Sequence, residues 1–153
     1  MLFYDFENSV GFWLVGAHQA YMRAFNERLA PQGVTFRQAQ VLGWLAVEGP
    51  QSQADLACRM LIEPPSLVGV LDRMERDGWI ERRACPQDRR KKLVAALPAA
   101  GRVFKRITQV GREMRAKATA GLTDREVETL RTLLARVQQN VQASEVDCET
   151  VGK

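Results

Sequence analysis

A chain of 153 residues, 46% apolar and 26% charged, can bury one core of ordinary size and has the balance of a globular protein. Its longest notable apolar run, Gly11 to Ala17, falls far short of the roughly 18 residues a membrane span requires. Cys58, Cys85 and Cys148 are odd in number, widely spaced and without a C-x-x-C pair, which argues against a disulfide framework or a zinc site and for a reducing compartment. The start, M-L-F-Y-D-F-E-N, is acidic and unlike a signal peptide, so a cytoplasmic protein is expected.

The spacing predicts a long helix over residues 5–30, because Phe6, Val10, Trp13, Leu14, Ala17, Tyr21, Ala24, Phe25 and Leu29 recur at three- and four-residue steps. Phe12 and Val15 lie off that stripe. A helix apolar around so much of its circumference is expected to be buried on two sides, the second against another copy of the chain. Pro31-Gln32-Gly33 ends it. Thr35-Phe36-Arg37-Gln38 reads as a capping-box start, and Ala39, Leu42, Leu45 and Ala46 carry a second helix to Glu48-Gly49-Pro50.

A third helix opens at Ser52, whose hydroxyl can cap the backbone N–H of Asp55, with Ala54, Ala57 and Cys58 on one face. Met60, Leu61 and Ile62 form a turn. Proline is tolerated only in the first turn of a helix, so Glu63-Pro64-Pro65-Ser66 marks the next start. Leu67, Val70, Leu71 and Met74 are its expected buried stripe, Asp77-Gly78 its end, and Ser66, Gly69 and Arg73 a narrow strip on the opposite face. The period then changes: Trp79 to Arg83 and Lys92 to Leu97 read as strands, with Cys85 to Arg90 as the turn.

Between Arg82 and Lys92 stand six arginines or lysines and one aspartate, whereas the whole chain carries only +4. The positive charge is therefore local. A helix-turn-helix followed by a cationic wing is the shape of a DNA reader, with the wing suited to phosphates and the minor groove. Pro98-Ala99-Ala100-Gly101 opens another long helix on Val103, Ile107, Val110 and Met114, which Gly121 breaks. Thr123-Asp124-Arg125-Glu126 is a second capping box, starting a last helix on Val127, Leu130, Leu133, Leu134, Val137 and Val141. The tail from Ser144 is polar and expected to fray.

The run I-E-P-P-S-L-V, followed by L-D-R-M-E-R-D-G-W-I-E-R-R and D-R-R-K-K, resembles the MarR family of bacterial transcription regulators, and most closely its SlyA branch. The resemblance covers nearly the full length and is densest from Gln51 to Gly101. It implies a mainly α fold with a small β wing: a winged helix-turn-helix at 34–97, dimerisation helices at 1–33 and 98–143, and a frayed tail at 144–153. It also implies a homodimeric repressor or anti-repressor that leaves a pseudo-palindromic operator when a small molecule binds. No cofactor, metal or membrane partner is expected.

Chemistry and resemblance together assign roles. Ser52 and Gln53, at a helix N-terminus, are expected to hold phosphate. Pro65, Ser66, Gly69 and Arg73 form the reading face, with Arg73 and Arg83 also suited to the backbone, Arg89 to the minor groove, and Arg90 and Lys91 to phosphates. Asp88 either pairs with a neighbouring arginine and shapes the wing or is an ordinary turn aspartate. Two features depart from the SlyA branch. Gly69 stands where an arginine is common, which moves base reading toward Pro65, Ser66, Arg73 and the wing. One extra residue between Asp88 and Leu97 suggests a bulge at Ala95-Ala96.

In the family, effectors sit between the dimerisation helices and the reading module. This makes Trp13, His18 and Tyr21 candidates for a pocket wall and Arg37 a partner for an aromatic, anionic ligand. The peroxide-sensing branch carries a cysteine early in helix one, where this chain has none. Cys58 reads as inert, while Cys85, among arginines, is a candidate redox thiol. Catalysis is not expected. His18 is the sole histidine, Cys85 is followed at the sixth position by Lys91 rather than arginine, and no H-E-x-x-H, G-x-S-x-G or P-loop pattern occurs. The rival function is a winged helix that binds DNA without sequence preference or binds protein.

Overall fold

The computed structural model describes residues 5–86 and 92–142. Six helices run in the order α1 (Val10–Leu29), α2 (Phe36–Glu48), α3 (Gln53–Arg59), α4 (Pro64–Arg76), α5 (Ala100–Ala118) and α6 (Asp124–Gln142). Three strands, β1 (Gln51–Ser52), β2 (Ile80–Ala84) and β3 (Lys92–Ala96), make one antiparallel sheet in the order β1-β3-β2. The chain forms two units, Met1–Met114 and Arg115–Lys153.

α1 starts at Val10 rather than near residue 5. Asn8 bonds back to Asp5 and the Ser9 N–H donates to the Phe6 carbonyl at 3.0 Å, so the preceding residues close a turn instead. A short 3-10 turn, Ala30–Gln32, ends at Gly33, whose φ of 68° suits a residue without a Cβ. The predicted capping box of α2 is complete: the Gln38 N–H donates to Thr35 Oγ1 at 3.3 Å and the Thr35 N–H to Gln38 Oε1 at 2.9 Å. The Phe36 N–H also donates to Asn26 Oδ1 at 3.0 Å, tying α2 to α1.

α3 turns a different face inward from the one the spacing suggests. Leu56 and Ala57 are buried along with Met60, while Ala54 is exposed and Cys58 half-buried. Burying leucine removes far more apolar surface from water than burying alanine, and the short helix rotates accordingly. It ends in a Schellman pair, with the Ile62 N–H to the Ala57 carbonyl and the Leu61 N–H to the Cys58 carbonyl, both at 3.0 Å. The left-handed position of that motif is Leu61 (φ 52°), not glycine, and its side chain is 77% exposed. α4 closes in the same manner on Gly78 (φ 71°).

The β2–β3 ladder runs without interruption from Ile80↔Ala96 to Ala84↔Lys92. The expected bulge at Ala95-Ala96 is therefore absent. β1, which the sequence reading did not anticipate, pairs Gln51 with Val94 and Ser52 with Leu93. Leu29, Val41, Leu56, Leu67, Leu71, Met74, Ile80 and Val94 form a fully buried centre, joined by Phe25 of α1 and by Ile107, Val110 and Met114 of α5. In the second unit, Thr123 and Glu126 complete the predicted capping box, at 2.7 and 3.3 Å. α6 buries none of its residues.

Candidate nucleic-acid interface

α4 is held by one face and open on the other. Leu67, Leu71 and Met74 are fully buried with Val70 half-buried, while Pro64, Pro65, Ser66, Val68, Gly69, Asp72 and Arg73 are exposed. Ser66, Gly69 and Arg73 share a shallow hollow of about 220 Å³ with Gln38 of α2 and its N-cap Thr35. Among the described residues Arg73 has no carboxylate partner, so its charge is available to an anion.

Other predicted contacts are occupied within the fold. The Ser52 hydroxyl accepts from the Asp55 N–H at 3.1 Å and donates to Asp55 Oδ2 at 2.6 Å, so a carboxylate already sits at the start of α3. Half-buried Gln53 donates from Nε2 to the Pro64 carbonyl at 3.4 Å, linking the starts of α3 and α4. Arg83 is exposed on β2, with Glu81 at 3.8 Å. Asp88, Arg89, Arg90 and Lys91 lie outside the described residues.

Sequence reasoning missed the part played by Arg82. By sequence it belongs to the cationic residues of the wing, yet its side chain is only 19% exposed, against 54% for Arg83. Nη2 meets Asp72 Oδ1 at 2.6 Å, Nη1 meets Glu75 Oε2 at 2.5 Å, and the Arg82 backbone N–H donates to Glu75 Oε1 at 3.0 Å. Partial burial lowers the Arg82 pKa, but the hydrogen bonds and charges of Asp72 and Glu75 outweigh it and hold the group above its ordinary value. This fork couples β2 to α4 and neutralises two carboxylates that would otherwise face a polyanion. The signal was present as acids three apart on α4, but only the fold brings Arg82 to them.

The proposed effector residues do not converge within the described chain. Trp13 is 64% exposed, donates from Nε1 to the Glu7 carbonyl at 2.8 Å and meets Phe12 edge-on at 5.5 Å. Tyr21 packs on Phe25 with ring centroids 5.8 Å apart, His18 is exposed, and Arg37 donates to Gln40 at 3.3 Å. A hollow of about 520 Å³ beside the start of α1 is lined by Phe6, Phe12, Val15 and Gln19 among others, and by none of these four residues. A second, of about 330 Å³, gathers Arg28 with Lys105 and Arg106 of α5. Among the described residues none of those three cations forms a salt bridge, although Glu113 lines the same hollow and accepts from Gln109 at 2.9 Å. Their wide separation in sequence kept them from being read as a group.

Cys85 is a half-buried cysteine just past β2. Cys58, expected to be inert, is half-buried on α3 and disulfide-bonded. Among the described residues no cluster of His, Cys, Asp or Glu could hold a metal, and no helix is long and apolar enough to cross a membrane.

The family model described as MarR matches residues 34–92. A probable transcriptional regulator from Pseudomonas aeruginosa is 34% identical, over 87% of this chain and 99% of its own, with a TM-score of 0.75. A mutant MarR from E. coli, solved in complex with operator DNA, is 29% identical over 84% of this chain and 92% of its own, with a TM-score of 0.77. CouR from Rhodococcus jostii RHA1, bound to p-coumaroyl-CoA, is 26% identical over 94% of this chain and 99% of its own, with a TM-score of 0.78.

Proposed function

The chain belongs to the MarR family and is a DNA-binding transcription regulator, and on that premise we propose that it works in the cytoplasm as a homodimeric repressor or anti-repressor. Residues 34–97 are the reading module, with 1–33 and 98–143 as dimerisation helices. The I-E-P-P-S-L-V run supports a place nearest the SlyA branch. One observation carries the reading: α4 is anchored by Leu67, Leu71 and Met74, and its opposite face leaves Pro65, Ser66, Gly69 and Arg73 exposed together. A helix fixed on one side and open on the other is what entry into a major groove requires.

Arg73 and Arg83 contact the DNA backbone, Arg89 enters the minor groove, and Arg90 and Lys91 meet phosphates. Ser52 and Gln53 act by holding the starts of α3 and α4 in place, so that backbone N–H groups rather than their side chains meet the phosphate. The effector is a small anion with an aromatic part. The MarR complex with operator DNA and the CouR complex with p-coumaroyl-CoA support DNA binding and effector response respectively. Arg28, Lys105 and Arg106 are better founded as the anion's anchor than Arg37, because the three cations line one hollow and outnumber its single carboxylate, Glu113.

The test is fluorescence anisotropy with duplex DNA from upstream of the protein's own gene, at several salt concentrations and against a scrambled competitor. Binding that resists the competitor, weakens steeply with salt and falls in Arg89→Ala is the expected result. Equal, weak binding to both duplexes would instead favour the architectural or protein-binding reading.

A further inference from the structure

Resting on the DNA-reading function above, we infer that α4 selects its half-site through the 5-methyl groups of thymine rather than through guanine. The first two turns of α4 expose Pro64, Pro65, Ser66, Val68 and Gly69. The proline and valine side chains offer only carbon and hydrogen, and Gly69 offers no side chain. Val68 is 40% exposed on a helix whose leucines are wholly buried. Ser66 supplies a single hydroxyl, which can bond to any base and distinguishes none strongly.

The groups that would read a G·C pair are removed or engaged. Arg73, the first side chain able to make a two-pronged contact with guanine, stands roughly 13 Å along the axis from Pro64 at 1.5 Å per residue. Asp72 could accept from the amino group of cytosine, but Arg82 holds its Oδ1 at 2.6 Å. Gly69 makes the same point from the opposite direction. A glycine inside a helix weakens it, and no heavy atom lies within 4 Å of the position a Cβ would take, so packing does not require one. What the missing side chain provides is close approach of the helix backbone to the groove. The one apolar group on natural base edges in the major groove is the thymine methyl. A small, carbon-lined helix surface is complementary to it.

Selection of duplexes from a random pool with the full-length protein should enrich thymine at the positions facing α4. Replacing those thymines singly with deoxyuridine removes only the methyl, and each contacted position should then lose about fourfold in affinity. Substitution outside the half-sites should change nothing. Val68→Ala should shrink the difference between thymine and uracil, and Gly69→Arg should move the preference toward guanine. A selected half-site led by guanine would overturn the inference. So would equal affinity for thymine and uracil duplexes while scrambled DNA is still rejected, an outcome that leaves the DNA-reading function intact. Failure to prefer any duplex over scrambled DNA would sink both.

Discussion

Leu71 in α4 and Leu133 in α6 both belong to the apolar stripe of an amphipathic helix, yet Leu71 is fully buried and Leu133 is 51% exposed. The contrast extends to their surroundings. In the reading module, α2, α3, α4 and the sheet bury Val41, Leu56, Leu67, Ile80 and Val94 against one another. At the start of α1, by contrast, Val10, Phe12, Trp13 and Val15 stand in water, as do Leu130, Leu134 and Val141 on α6. The module buries most of its apolar surface within a single chain, together with the Phe25–Leu29 end of α1 and the inner face of α5, whereas the start of α1 and the stripe of α6 stay exposed. Exposed stripes of this size mark association surfaces, and the proposed second copy is what would cover them.

Several substitutions break or sharpen this contrast. Leu71→Ala should cost about 2–5 kcal/mol in urea unfolding, the range for emptying a packed core site. A cost near zero would show that α4 is not anchored as described. Leu130→Glu combined with Leu133→Glu should leave the module folded by circular dichroism. It should raise the dimer dissociation constant by on the order of a hundredfold in sedimentation, since each leucine loses the burial energy of a side chain. An unchanged association state would remove α6 from the interface.

Arg82→Gln separates the module's fold from its function. It frees Asp72 and Glu75 to repel phosphate and unties β2 from α4, so DNA affinity should fall about tenfold while stability changes by only about 1 kcal/mol. Equal affinity would make the fork a bystander. Leu61→Gly should stabilise the module by about 0.5–1 kcal/mol, by removing a Cβ from a left-handed turn; destabilisation would show that the exposed leucine makes contacts that matter.

The smallest effect belongs to Glu126. Backbone and side-chain hydrogen bonds from Thr123 hold its carboxyl below the ordinary range. The folded pKa is lowered, so this contribution is present above the unfolded pKa and is lost as pH falls through the folded one. Helicity should therefore decline slightly below about pH 4, and Glu126→Gln should flatten that decline; an identical acid titration would contradict it.

What the sequence disclosed was local in its physics. Thr35, Ser52 and Thr123 cap helices through bonds three residues away, and Pro64-Pro65 and Gly78 mark the ends of α4, so all were legible. The exposed strip of α4 followed from its period. β1 escaped notice because two residues carry no pattern, and Ala54 was favoured over Leu56 because a seven-residue helix barely establishes its face. Arg82 counted as free charge until the fold placed it against Asp72 and Glu75. Arg28, Lys105 and Arg106 likewise became a group only through tertiary structure.

The measurement that tests the account most directly is hydroxyl-radical footprinting of the intact protein on its selected duplex. If two reading modules are joined through their flanking helices, protection should fall in two symmetric half-sites about one helical turn apart. Both halves should disappear together in the Leu130→Glu, Leu133→Glu variant. A single protected half-site that survives in that variant would contradict the account, because it would mean that one module reads DNA alone.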